Sequence, residues 1–285
     1  MSKNKIILIT GANAGIGYET ALGVAKTGAT TIMVGRDAAK CEQSRREIVE
    51  KTGNEQVKVI LADLSSHQSI RQFTDEFKRH YTQLDVLINN AGGIFKERQL
   101  TPDGFERTFG LNHLGYFLTT YYLSDILTAT PQSRLVNVAS EAHRFVRQMH
   151  FDDLMLEKKY SEWVAYGQSK LANILFTRYL AAYWQKKGIQ TTANCLHPGT
   201  VRSNFGKQDF WFIRFAFTYL PLFKTPAQGA KTSLHLALSP NVATCNGAYF
   251  DNCREKKTTK AAHDTLAMQT LWQRSLALTG IADFG

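Results

Sequence analysis

No apolar run in this 285-residue sequence approaches the 18 or so residues that a membrane-spanning helix needs. The nearest is Phe210-Trp-Phe-Ile-Arg-Phe-Ala-Phe-Thr-Tyr-Leu-Pro-Leu-Phe223, and Arg214 and Pro221 interrupt it. At the N-terminus, Met1-Ser-Lys-Asn-Lys5 leads into only four apolar residues, Ile6–Ile9, before a glycine turn, too few for a signal-peptide core. Cysteine is scarce. Cys41, Cys195, Cys245 and Cys253 form no CxxC pair, which argues against a zinc ribbon and a disulfide framework. Reduced thiols and a cytoplasmic location are the simplest expectation. The six prolines are dispersed, and there is no internal repeat, low-complexity tract or Pro/Gly/Ser linker. His143, His150 and His197 lack the spacing of a metal set, and no G-x-S-x-G of an α/β-hydrolase is present.

What the sequence does contain is a core and a basic balance. Hydrophobic residues make up 44% of the chain, enough to bury a sizeable interior and to exclude a disordered chain. Thirty-four Lys+Arg against 24 Asp+Glu give +10 with histidine neutral. The basic residues are scattered. The densest group, Arg254-Glu-Lys-Lys257 followed by Lys260, includes an acid and no interleaved aromatics. It reads as a solvated face, so no nucleic-acid partner is expected.

Short β-branched runs alternate with longer amphipathic stretches. The strand candidates are Lys5–Thr10, Thr30–Gly35, Val57–Leu64, Leu84–Asn89, Arg134–Ser140 and Gln190–Leu196. Helical spacing appears at Ile70, Phe73 and Phe77, and again at Trp163, Tyr166, Lys170 and Ile174, the latter ending at Gly188. Nearly all-apolar strands imply a sheet covered on both faces. The alternation predicts an α/β chain with a doubly wound parallel sheet, in one domain spanning 1–285. The region of about 200–285 departs from the pattern and is where a substrate cover is expected. Its elements are helices near Phe210–Leu220, Gln228–Leu238 and Ala261–Leu278, with a strand at Ala248–Cys253. The Phe210–Phe223 stretch reads equally as a lid, a packed helix or a peripheral membrane contact.

After the first strand comes Thr10-Gly11-Ala12-Asn13-Ala14-Gly15-Ile16-Gly17, opening a helix. Glycines at this spacing let backbone N–H groups approach a pyrophosphate at the helix's positive end. The second strand ends in Gly35-Arg36-Asp37. A guanidinium suits a ribose 2′-phosphate, so Arg36 points to NADP(H). That preference weakens if Asp37 faces the ribose instead. Asp63-Leu64 ends the third strand, beside an adenine position, and Asn89-Asn90-Ala91-Gly92 ends the fourth. All fall at the carboxyl ends of strands, where open α/β sheets bind ligands.

Tyr166-Gly-Gln-Ser-Lys170 places a phenol and an ammonium on one helical face. A cation nearby is expected to lower the phenol's pKa and fit Tyr166 for proton exchange with a carbonyl or alcohol. Ser140, on the same rim, has a hydroxyl to polarise the substrate oxygen. Asn112 follows a helical run at Phe105–Leu111 and carries two readings that can coexist: a holder of a proton-relaying water near Lys170, or an amide bonded to backbone.

Together these motifs resemble the short-chain dehydrogenase/reductase family, in the family's order over about residues 5–205, with His197-Pro198-Gly199-Thr200 as a further match. The resemblance implies a Rossmann-type sheet ordered 3-2-1-4-5-6-7 and hydride transfer to or from nicotinamide. Asn112, Ser140, Tyr166 and Lys170 would be its catalytic set, and Pro198 to Val201 would line the nicotinamide. Tyr166 lies 26 positions beyond Ser140, a wide gap that resembles the retinol dehydrogenase/retinal reductase branch. That branch implies NADP(H) and a lipophilic aldehyde, ketone or retinoid. The family also implies a homo-oligomer, dimer or tetramer, packed through the Trp163–Lys187 helix, with Leu171, Leu175 and Phe176 as candidate contacts. Two other functions stay open: a non-catalytic dinucleotide-binding regulator, and an NAD-linked alcohol dehydrogenase of the same fold.

Overall fold

Residues 4–200 and 224–284 are described here from a computed structural model of the chain. Val201 and the Phe210–Phe223 segment lie outside the described residues. The apolar runs form strands β1 (Ile6–Thr10), β2 (Thr30–Gly35), β3 (Val57–Leu61), β4 (Val86–Asn89), β5 (Arg134–Val138), β6 (Thr192–His197), β7 (Tyr249–Asp251) and β8 (Arg254–Glu255). Their order is β3-β2-β1-β4-β5-β6-β7-β8. The first seven in that row pair in parallel, as expected for the family, and β8 adds an antiparallel edge to β7.

The period-two alternation of a strand explains the two cores. Ile7 and Ile9 of β1 join one buried cluster with Val24, Met33 and Val136, while Leu8 joins another with Ile32, Phe73 and Phe117. The principal helices are α1 (Gly15–Ala25), α2 (Ala38–Thr52), α3 (His67–His80), α4 (Gly115–Ala129), α5 (Glu162–Lys186), α6 (Pro226–Leu238) and α7 (Thr265–Thr279). Among the described residues, no helix is long and apolar enough to cross a membrane.

Three elements differ from the sequence expectation. The third strand stops at Leu61 instead of Leu64, because Asp63 turns the chain: its Oδ1 accepts from the Ser65 N–H at 3.0 Å and from the Ser65 hydroxyl at 2.7 Å. The strand expected over Ala248–Cys253 becomes a hairpin. Asn252 and Cys253, at φ 51° and 60°, reverse β7 into β8 in the left-handed pair that such two-residue turns require. The helical run at Phe105–Leu111 is a single turn, Arg107–Phe109, followed by a wider turn, Gly110–Leu114, that leads into α4. The Glu106 carboxylate starts it by accepting from the Thr108 and Phe109 N–H groups at 2.7 and 2.8 Å.

The expected contact with a second copy through Leu171, Leu175 and Phe176 is corrected by the packing. These side chains are at most 2% exposed and belong to the protomer's own core. Helix α7 supplies the cover. Trp272 stacks on Phe176 at 6.1 Å between centroids and lies 4.6 Å from Tyr179 and 4.7 Å from Phe284. Trp272→Ala should therefore destabilise the protein by about 3–5 kcal/mol in chemical unfolding. A loss under about 1 kcal/mol would mean that α7 is only loosely attached.

Candidate active site

The glycine turn is anchored on β2, where the Val34 carbonyl accepts from the Gly11 and Ala12 N–H groups at 2.8 and 3.3 Å. It also closes tightly on itself. A Cβ on Gly17 would stand 2.1 Å from the Gly11 carbonyl oxygen and 2.5 Å from Asn90 Nδ2, so no side chain fits there. Gly11 and Gly15 take φ values of 65° and 55°, open to glycine at little cost. Ala14 begins α1 without a side-chain cap, which leaves the N–H groups of Gly15, Ile16 and Gly17 directed outward at the helix's positive end. The Asn13 carbonyl is held by the Ser44 hydroxyl at 3.1 Å. A turn of this shape, with free N–H groups at a helix start, has the chemistry to receive a pyrophosphate.

Arg36 and Asp37 separate clearly. Asp37 caps α2, accepting from the Lys40 N–H at 3.1 Å, and pairs with Lys40 Nζ at 2.8 Å. Arg36 is exposed, with no hydrogen bond or ion pair among the described residues. The guanidinium is thus the free group at the end of β2. Asp63 and Leu64 follow β3. Beyond β4, Asn90 and Ala91 donate backbone N–H groups to Thr10 Oγ1 at 2.9 and 3.1 Å, and Asn90 Nδ2 reaches the Thr10 carbonyl at 2.9 Å. These bonds lock the fourth-strand loop to the glycine turn.

Ser140, Tyr166 and Lys170 meet beside this loop. Ser140 and Tyr166 share a side-chain hydrogen bond. Ser140 Oγ also accepts from the Ala142 N–H at 3.1 Å. Lys170 Nζ lies 5.6 Å from the Tyr166 ring centroid and donates to the Val138 carbonyl at 2.9 Å. A Cβ on Gly92 would stand 3.6 Å from that Nζ, so the backbone after β4 passes directly over the lysine. The side chain of Asn112 fits the backbone-bonded reading. Its Oδ1 accepts from the Gly93 N–H at 2.8 Å, and its Nδ2 donates to the Gly93 carbonyl at 2.9 Å and to Ser169 Oγ at 3.0 Å. Both amide hydrogens are thereby used. At the end of β6, Pro198 is buried, Gly199 has φ 92°, and the Thr200 carbonyl accepts from the Lys224 N–H at 2.8 Å.

The expected acidification of Tyr166 by Lys170 is corrected in direction. Desolvation outweighs the hydrogen bond with Ser140 and pushes the phenol up to about 12. The same dryness brings Lys170 down to about 7, with its amine turned to a carbonyl instead of a carboxylate. In the protein alone, Tyr166 therefore keeps its phenolic proton through the neutral range.

Sequence reading passed over Thr10, Ser169 and Tyr116. Thr10 clamps the two ligand-facing loops. Ser169 joins Asn112 to α5, donating to the Tyr166 carbonyl at 2.8 Å. The Tyr116 ring lies 5.7 Å from Lys170 Nζ. The position of Ser169 inside Tyr166-x-x-Ser-Lys170 was the one local hint. Among the described residues, no group of three or more His, Cys, Asp or Glu is placed to hold a metal.

Comparison with known proteins agrees with this geometry. Residues 5–210 match the short chain dehydrogenase family. The chain is 42% identical to retinol dehydrogenase 12 of Mus musculus over 97% of its length and 87% of the relative's. It is 40% identical to polyprenol dehydrogenase of Homo sapiens, covering 98% of this chain and 86% of that protein. Among solved structures, a Mycobacterium paratuberculosis protein aligns with TM-score 0.80 at 32% identity over 100% of this chain and 96% of that one. A short chain dehydrogenase structure from Escherichia coli CFT073, complexed with NADPH, aligns with TM-score 0.69 at 27% identity over 88% and 97%.

The lowered pKa of Lys170 has a signed consequence for stability. Unfolded lysine keeps its proton to about pH 10.4, whereas the folded group loses it near 7. Between those limits the unfolded state binds more protons, so this group's penalty on folding is full below pH 7 and fades as pH rises toward 10. Lys170→Met should raise the melting temperature most at pH 6–7, with the gain shrinking toward pH 10. A pH-independent gain, or a loss at pH 6, would contradict a desolvated amine.

Proposed function

The chain belongs to the short chain dehydrogenase family, and from that premise we propose that it moves a hydride between NADP(H) and the carbonyl or alcohol carbon of a lipophilic aldehyde, ketone or retinoid-like substrate. The observation that carries this reading is the shared site of Ser140, Tyr166 and Lys170 at the ends of β5 and α5, facing the glycine turn across Gly92. The turn residues Gly11, Asn13, Ala14, Gly15, Ile16 and Gly17 would hold the pyrophosphate, and Asp63 and Leu64 the adenine side. Asn90, Ala91, Gly92, Lys170 and the segment from Pro198 to Val201 would hold the nicotinamide half. The uncommitted Arg36 supports NADP(H) over NAD(H), since Asp37 is already spent on α2.

NADPH supplies the hydride when bound, and its oxidised form brings a positive charge to the nicotinamide. Ser140 donates its hydroxyl hydrogen to the substrate oxygen, and the Ala142 N–H on its Oγ polarises it for that purpose. Tyr166 gives its phenolic proton to the same oxygen as the carbonyl carbon becomes tetrahedral. Lys170 would hold the ribose and stabilise the phenolate that results. Asn112 acts as a positioning residue by fixing Gly93, and so the loop above Lys170.

The lipophilic substrate class draws on the relatives named above. It is also consistent with Phe145 and Trp163, 59% and 48% exposed and 6.0 Å apart between centroids, which stand near Ser140 and Tyr166 in sequence. We read residues 1–285 as one oxidoreductase domain whose region of about 200–285 covers the substrate.

A panel of aldehydes and ketones with NADPH, including retinal and medium-chain aldehydes, tests the activity; cofactor binding with no turnover anywhere in the panel would favour the regulatory reading. Tyr166→Phe should keep NADPH binding by fluorescence titration while cutting turnover about 10²-fold or more. Arg36→Ala should raise the KM for NADPH by about 10–100-fold and leave kcat/KM for NADH unchanged. Equal effects on both cofactors would remove Arg36 from the 2′-phosphate.

A further inference from the structure

We propose that His143 is a positioning residue that fixes Ser140 through the Ser140 carbonyl, and so sets the aim of the hydroxyl assigned above to the substrate oxygen. The proposal rests on that assignment of Ser140.

Ser140 is the last extended residue after β5, with φ −164° and ψ 156°, and the chain then coils into the tight turn Glu141–Phe145. Two donors from one residue converge on its carbonyl: the His143 N–H at 3.1 Å and the His143 ring Nδ1 at 2.6 Å. A carbonyl only accepts, so the ring must carry its proton on Nδ1. The imidazole is fully buried, and its face is closed by the Tyr249 ring at 5.4 Å. Its other nitrogen, Nε2, has no hydrogen-bond partner among the described residues. A buried acceptor left unmatched is a cost, and an apolar side chain of similar size would fill the space without it. The cost is explained if the Nδ1 donor is what the position requires.

The surrounding groups brace the same point. The Tyr249 hydroxyl donates to Glu141 Oε1 at 2.9 Å, and the Glu141 N–H donates to His197 Nδ1 at 3.3 Å. Glu141 is further held by Arg144 at 2.6 Å and Lys256 at 3.6 Å. The backbone just after Ser140 is therefore tied to the ends of β6 and β7. With the carbonyl gripped and Oγ accepting from Ala142, rotation of the Ser140 side chain is restricted to the direction of Tyr166. Burial lowers the His143 pKa, which keeps the ring neutral and the arrangement unchanged through the physiological range.

Asparagine carries its amide nitrogen where histidine carries Nδ1, whereas glutamine reaches the Nε2 position. With NADPH and retinal, His143→Gln should lower kcat about tenfold without moving the KM for NADPH, and His143→Asn should recover most of that loss. In a Ser140→Ala background, His143→Gln should cost nothing further, because its effect passes through Ser140. Wild-type kcat in His143→Gln, or the same penalty in both backgrounds, would overturn the proposal. Undiminished turnover in Ser140→Ala would instead sink the underlying reading of Ser140. Nitrogen-15 NMR of the wild-type holoenzyme is independent of any variant's folding. It should show Nδ1 protonated and Nε2 bare, and the opposite tautomer would rule out the donor to Ser140.

Discussion

The site depends on a lysine amine kept dry. Lys170 is 2% exposed, and its ammonium has a peptide carbonyl, not a carboxylate, as its hydrogen-bond partner. A carboxylate there would hold the charge in place and neutralise its field. The Val138 carbonyl orients the amine while leaving that field available to neighbours. The geometry around it follows from this choice. Gly92 carries the loop above Nζ, where a Cβ would crowd Asn112 Oδ1 at 3.0 Å, Asn112 holds that loop down, and Ser169 joins Asn112 to the helix that carries Tyr166 and Lys170. Loosening any of these would let water in, and the charge would be screened.

The ends of three adjacent strands contribute to one rim. Strand β1 brings the glycine turn, β4 brings the loop through Gly92, and β5 brings Val138 and Ser140. Thr10 is the hinge pin of this assembly, since its single hydroxyl accepts two backbone N–H groups from the β4 loop. Parallel strands make such convergence natural, because every crossover returns the chain to the same edge of the sheet.

Much of this was readable before any coordinates. The glycine turn and Tyr166-x-x-x-Lys170 are local patterns, and their geometry is set by one turn and one helix. Strand order came from the family resemblance, and most strand ends fell within two or three residues because turn chemistry marks them. What was not readable depends on contacts distant in sequence. The family resemblance placed Leu171, Leu175 and Phe176 at a contact between copies, but α7, about a hundred residues later, covers them. Spacing placed a cation near Tyr166 correctly, but the sign of the resulting pKa turns on burial, which no spacing reports. The choice between Arg36 and Asp37 needed the cap that Asp37 makes.

The aromatic cover over α5 has a practical meaning for anyone handling the protein. Phe284 is 1% exposed, set against Phe117 at 5.1 Å and Tyr121 at 5.2 Å, and its carbonyl accepts from the Tyr183 hydroxyl at 2.5 Å. Its ring thus works as a stopper in the wall of the molecule. Shrinking or removing that ring would open the interior beneath α5, so changes made for labelling or solubility belong elsewhere on the surface.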